Sequence, residues 1–78
     1  MAESSVPLDA QKKRALQLLL GAWEQALRDG VAPETVATTA VFLALSDMIE
    51  AHGEEAVSAM AAELPQRIRA GEFTLGPR

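Results

Sequence analysis

The sequence predicts an all-α fold, a small three-helix domain with a central second helix, a kinked third helix and a short extended tail. Apolar residues recur at spacings of three and four in each of three segments, as they do along one side of a helix. Each segment is followed by a glycine, at Gly30, Gly53 and Gly71, where a left-handed residue commonly ends a helix. Strand signals are nearly absent, since the chain has no tyrosine and no alternating stretch except in its tail.

The first helix is predicted to run from about Leu8 to Asp29. Asp9 suits its start, as the N-cap or as an acid of the first turn, and Gly30 follows its end. Leu18 lies off the apolar stripe and is expected to be either exposed or part of a second contact. The stripe itself is expected to form core and consists of Leu16, Leu19, Leu20, Trp23, Ala26 and Leu27.

The second helix is predicted to begin with Pro33, because the missing N–H of proline costs nothing at a first helical position. It is apolar over roughly two-thirds of its circumference, whereas a surface helix needs an apolar arc of only about 100°. One side carries small residues, namely Ala37, Ala40, Ala44 and Ala51. Beside it lies what we call the bulky face, formed by Val41, Phe42, Leu45, Met48 and Ile49.

This excess of apolar surface predicts association. Two neighbouring helices can cover only part of the arc, and a large contiguous apolar patch is unusual on a soluble monomer. Two-fold pairing is the commonest solution, so we expect a homodimer whose seam is the bulky face. In the alternative, the third helix and the tail wrap the second helix completely within one chain.

The third helix is predicted from Glu54 to about Ala70. Pro65 lacks the N–H for the bond one turn back and clashes with the preceding turn. The apolar stripe keeps its phase through the proline, which indicates one kinked helix. An extended tail would place Phe73 and Leu75 on the same side, so we expect it to dock onto apolar surface.

Length and charge limit the classes of function. The 78 residues predict one domain, residues 1–78, with residues 1–7 and 76–78 flexible. Without cysteine there is no disulfide and no thiolate chemistry, and oligomerisation is a common remedy for so small a scaffold. The net charge of −4 disfavours nucleic acid and anionic membranes as partners. No long apolar run and no signal-peptide pattern is visible, so we expect a cytoplasmic protein.

Two residues invite a chemical interpretation. His52 is the only histidine, but no second ligand has metal-binding spacing, and a histidine suits the last turn of a helix. Asp47 falls on the apolar arc of the second helix. If it is buried it needs a counter-charge from Arg28, Arg67 or Arg69, and otherwise it lies exposed at the edge of the arc.

The pattern therefore predicts a small helical interaction module that associates with itself, and that can also bind another protein. No phosphate loop, nucleophile elbow or dinucleotide fingerprint is present, so we assign no catalytic, cofactor-binding or metal-ligating residue and expect no cofactor. One alternative is an enzyme or small-ligand binding protein with a site between helices or across a dimer, using Asp47, His52, Trp23 or an arginine. The other is a helical nucleic-acid binder that uses Lys12, Lys13 and Arg14.

Overall fold

The computed structural model describes residues 6–76, which form helices and no strand. The helices are α1 (Leu8–Arg28), α2 (Pro33–His52), α3 (Glu54–Ala61) and α4 (Leu64–Arg69). Because α3 and α4 are two bent pieces of the predicted third helix, the all-α, three-helix fold is confirmed. Residues 1–5 and 77–78, which we expected to be flexible, lie outside the described residues.

By its internal contacts the chain divides into two units, Met1–Thr39 and Ala40–Arg78. The boundary falls inside α2. The first unit holds α1 and the beginning of α2, and the second holds the rest of α2 together with α3 and α4. That the chain forms one domain stays a prediction.

The end of α1 is stabilised by a Schellman motif, within one residue of the predicted end. The Gly30 N–H donates to the Leu27 carbonyl, and the Val31 N–H donates to the Ala26 carbonyl, both at 3.0 Å. Gly30 has a φ of 94°, which a residue with a Cβ adopts only with strain. At the other end Asp9 is a first-turn acid and not the N-cap.

A single residue, Gly53, separates α2 from α3. Its N–H donates to the Ile49 carbonyl at 2.7 Å and so closes the last turn of α2. Its own carbonyl accepts from the Val57 N–H at 3.3 Å and so opens the first turn of α3. The tight second connection is therefore made by one residue that serves both helices.

The bend in the third helix lies at Ala62 and Glu63, just before the proline. Pro65 is the second residue of α4, where its missing N–H is harmless. The first bond of α4 runs from the Arg67 N–H to the Glu63 carbonyl at 3.3 Å. The proline thus ends one helical piece and begins the next, as its chemistry predicts.

The tail differs from the expected one. After α4 the chain continues in a turn through Phe73, closed by a bond from the Thr74 N–H to the Gly71 carbonyl at 3.2 Å. Leu75 is 92% exposed, so the prediction that it docks onto apolar surface is wrong. Phe73 instead lies under the guanidinium of Arg67, whose Cζ is 5.2 Å from the ring centroid.

Burial is sparse throughout the described residues, of which only Val57 in α3 is buried, at 5% exposure. In the second unit the half-buried apolar residues are Ala40, Leu45, Met48, Met60, Ala61 and Leu64. In the first unit they are Trp23, Ala26, Val36 and Ala37. Four members of the predicted α1 core stripe, Leu16, Leu19, Leu20 and Leu27, are exposed. Their assignment to the core is wrong, because periodicity marks the apolar side of a helix but not whether anything covers it.

Candidate interaction surface

The bulky face forms a continuous ridge on α2. Phe42, Leu45 and Ile49 follow one another at helical spacings of three and four, so they lie in one row along the helix. Val41 and Met48 lie beside this row. All five positions belong to the second unit.

The structure leaves one edge of the bulky face open, the edge formed by Phe42 and Ile49. Leu45 and Met48 are half-buried, while Val41, Phe42 and Ile49 are exposed, and Phe42 has 67% of its surface accessible. Complete wrapping of the second helix within one chain, the alternative to association, is therefore wrong. An uncovered apolar edge remains on α2.

Leu43 is also exposed, at 62%, although sequence reasoning did not single it out. It lies about 100° around α2 from Phe42 and so belongs to a different side of the helix. The sequence does indicate its position, because the helical angle of Leu43 separates it from the ridge. It is a lone exposed leucine, which is ordinary on a protein surface.

Asp47 is exposed and has no ion pair within the described part of the chain. Burial of this carboxylate was one of the two predicted outcomes, and that prediction is wrong because Asp47 is exposed. An exposed carboxylate keeps its water and needs no counter-charge. Two of the candidate arginines are engaged elsewhere, since Arg28 donates to Gln25 Oε1 at 3.0 Å and Arg67 pairs with Glu72 at 2.9 Å.

His52 is exposed in the last turn of α2, as its position in the sequence predicts. It lies five residues from Asp47, which is about 140° around the helix, so the two side chains diverge. Across residues 6–76 no group of three or more histidine, cysteine or acidic side chains could hold a metal ion. The structure thus does not bring these two residues together into a site.

The basic cluster of α1 is dispersed around the helix. Lys12, Lys13 and Arg14 are all exposed, and consecutive helical residues point about 100° apart. They therefore do not make one compact basic patch. Trp23 is half-buried nine residues further along the same helix.

A second apolar surface lies on α1, and sequence reasoning had assigned it to the core. We call it the leucine face and define it by Leu16, Leu19 and Leu20, which lie on one side of the helix and are all exposed. Leu19 has 67% of its surface accessible, as much as Phe42. Leu18 is exposed as well, which agrees with one of its two expected placements.

No helix within residues 6–76 is both long and apolar enough to cross a membrane. The uncovered surfaces are instead short faces on helices that carry charged residues elsewhere. Comparison of the chain with known protein families, curated proteins and solved structures found no match to any of them.

Proposed function

We propose that this chain is a small helical interaction module that forms a homodimer through the bulky face of α2. The observation that carries the proposal is the open edge of that face, where Phe42 and Ile49 are exposed about 20° apart around α2, with the exposed Val41 on the other side of Leu45. Contiguous exposed apolar residues of this kind mark interaction surfaces on soluble proteins. An exposed phenylalanine beside aliphatic neighbours also has the composition of an interface centre.

Charge distribution on α2 also favours pairing with a second copy. A two-fold axis brings the same face of both copies together, so any charge on the seam would meet its own kind. None of the five residues of the bulky face is charged. The polar residues Thr39, Ser46 and Glu50 flank the Phe42 edge of the face, about 40–80° around the helix from Phe42, and so border the seam.

Sedimentation equilibrium at tens of micromolar protein tests this proposal with two variants of α2. Phe42→Glu places a charge on the open edge, and we expect it to weaken dimerisation by more than about tenfold, since it desolvates a carboxylate. Leu43→Glu is the matched control, because it makes the same kind of change at a similarly exposed residue on another side. Phe42 is a better target than Leu45, whose half-burial would let a glutamate disturb the fold.

The expected pattern is a wild-type dimer, a weakened Phe42→Glu variant and an unaffected Leu43→Glu variant. Circular dichroism checks that all three keep the same helix content. A monomeric wild type at these concentrations would overturn the proposal. Equal affinity of wild type and Phe42→Glu would remove the bulky face from the seam.

Binding of another protein and a cytoplasmic location stay predictions from the sequence. Ligand binding between helices would require polar side chains that converge, and Asp47 and His52 diverge. Nucleic-acid binding would require a compact basic surface, and the three basic residues of α1 point in different directions. No observation favours either alternative.

A further inference from the structure

The leucine face of α1 is a surface that the α2 seam does not use. Leu16, Leu19 and Leu20 are exposed near the middle of a helix of 21 residues, which is about 32 Å long. The face lies in the first unit, whereas the bulky face lies in the second. Whatever covers the leucine face is therefore separate from the partner surface at the α2 seam.

We propose that α1 pairs antiparallel with α1 of a second copy, leucine face against leucine face, with the two-fold axis crossing between Leu18 and Leu19. The pairing rests on the proposed self-association and adds to it a second isologous contact of defined orientation and register. One two-fold axis can serve both contacts within a dimer, whereas two different axes would build a larger assembly. Because the contact is isologous, each leucine face covers its own counterpart and no third chain is needed.

The order of charges along α1 selects the antiparallel arrangement. Three basic residues in a row, Lys12, Lys13 and Arg14, lie in the N-terminal half, and Glu24 lies in the C-terminal half. A parallel pair would place Lys12 of the two copies level with each other beside the seam, where the like charges repel. An antiparallel pair centred between residues 18 and 19 instead places Lys13 of one copy level with Glu24 of the other.

The second charge pair follows the same register. Asp9 and Arg28 are equally far from the point between Leu18 and Leu19, just as Lys13 and Glu24 are. The same axis therefore brings Asp9 level with Arg28 of the second copy. Because Asp9 and Arg28 are about 100° apart around α1, they match in level but not in flank, and Lys13 with Glu24 is the pair that carries the register.

Lys13 and Glu24 also point to the same flank of the leucine face. They are eleven residues apart, which places them within about 20° of each other around the helix. A two-fold axis through an antiparallel pair brings equal flanks together, so the Lys13 ammonium meets the Glu24 carboxylate on both sides. Within the described chain both side chains are exposed and neither has an ion-pair partner.

Reversing the charges of Lys13 and Glu24 tests the pairing. The measurement is sedimentation equilibrium at low ionic strength. We expect Lys13→Glu or Glu24→Lys alone to weaken dimerisation about tenfold, because each change turns two symmetry-related attractions into repulsions. The double variant should recover wild-type affinity to within about threefold. Arg14→Glu is the matched control, since it changes the net charge equally but lies on the far side of α1 from the leucine face.

Cysteine cross-linking tests the orientation, and the native chain has no cysteine to interfere. Leu19→Cys lies close to the proposed axis, so we expect a disulfide-linked dimer under mild oxidation. Lys12→Cys is the control, because an antiparallel pair separates its two copies by about 20 Å along the helix. Cross-linking of both variants with equal efficiency would show a parallel pair and overturn the proposal.

The outcomes separate this pairing from the proposed function. A monomeric wild type would overturn both. A dimer that is weakened by Phe42→Glu, but equally affected by Lys13→Glu and Arg14→Glu, would keep the α2 seam and overturn the α1 pair. That second result would also be expected if another protein, or another part of the same chain, covered the leucine face. Loss in the two single variants with recovery in the double variant would support the pairing.

Discussion

The Arg67 Nε donates a hydrogen bond of 2.9 Å to Oε1 of Glu72, across the turn that ends α4. The backbone joins the same two residues, since the Glu72 N–H donates to the Arg67 carbonyl at 3.2 Å. The intervening Gly71 has a φ of 86°, and the turn is a Schellman motif. Where this motif often has an apolar contact, the chain has an ion pair, with Phe73 stacked under the guanidinium.

We predict that the backbone of this turn contributes more to stability than its ion pair. Glu72→Gln should lower the free energy of unfolding by less than about 0.5 kcal/mol, because the side chains of Arg67 and Glu72 are 40% and 48% exposed. Gly71→Ala should lower it by about 1 kcal/mol or more, because alanine resists a positive φ. Urea denaturation measures both values. A larger loss for Glu72→Gln would mean that the ion pair holds the turn.

Alanine substitutions at Gly21, inside α1, and at Gly30, just after its end, should change the free energy of unfolding in opposite directions. A Cβ at Gly21 or at Gly30 would meet nothing within 4 Å, so contact does not distinguish them. Gly21 is inside the helix, and Gly21→Ala should raise the free energy of unfolding by about 0.5–1 kcal/mol. Gly30→Ala should lower it by about 1–2 kcal/mol, because Gly30 has a left-handed φ. Thermal and urea unfolding followed by circular dichroism report both signs, and two changes of the same sign would contradict the prediction.

Val57 should be a sensitive apolar position. It is the one buried residue among those that the structure describes, and Val57→Ala should lower the free energy of unfolding by about 2 kcal/mol through lost burial and the cavity left behind. Ile68→Ala in α4 is the control, since Ile68 is exposed. Urea denaturation at matched protein concentration compares the two. A loss at Ile68 equal to that at Val57 would show that another chain covers the exposed side of α4.

Thermal stability should depend on protein concentration. A dimer is favoured over the unfolded chain by mass action, so the Tm should rise by roughly a few degrees for each tenfold increase in concentration. Differential scanning calorimetry of the wild type over a wide concentration range measures the rise. In Phe42→Glu the rise should begin only at a concentration more than about tenfold higher, whereas Leu43→Glu should follow the wild type. A wild-type Tm that does not change with concentration would contradict the dimer.

Local features of the fold could be read from the sequence. The starts and ends of the helices depend on residues close in sequence, such as Gly30 after α1 and Pro65 at the start of α4. Both act through their own backbone geometry, so they act in the same way whatever the rest of the chain does. The angular pattern on α2 is equally local, and it defines the bulky face without knowledge of any neighbour.

Burial could not be read in this way. Leu45 and Phe42 belong to the same ridge, yet one is half-buried and the other exposed. Leu19 has the spacing of a core residue and is exposed, and Asp47 has the angle of an apolar position and lies in solvent. Periodicity describes one helix at a time, whereas burial depends on which distant residues occupy the space beside it.

The sequence by itself therefore determined the helices of this protein, their ends and the apolar sides that they carry. Only the tertiary structure decided which of those sides are covered, with Val57 buried and the leucine face and the open edge of the bulky face exposed. The physical reason is that helix ends follow from backbone conformations only a few residues long. Coverage of a face depends on side chains brought together from far apart along the chain.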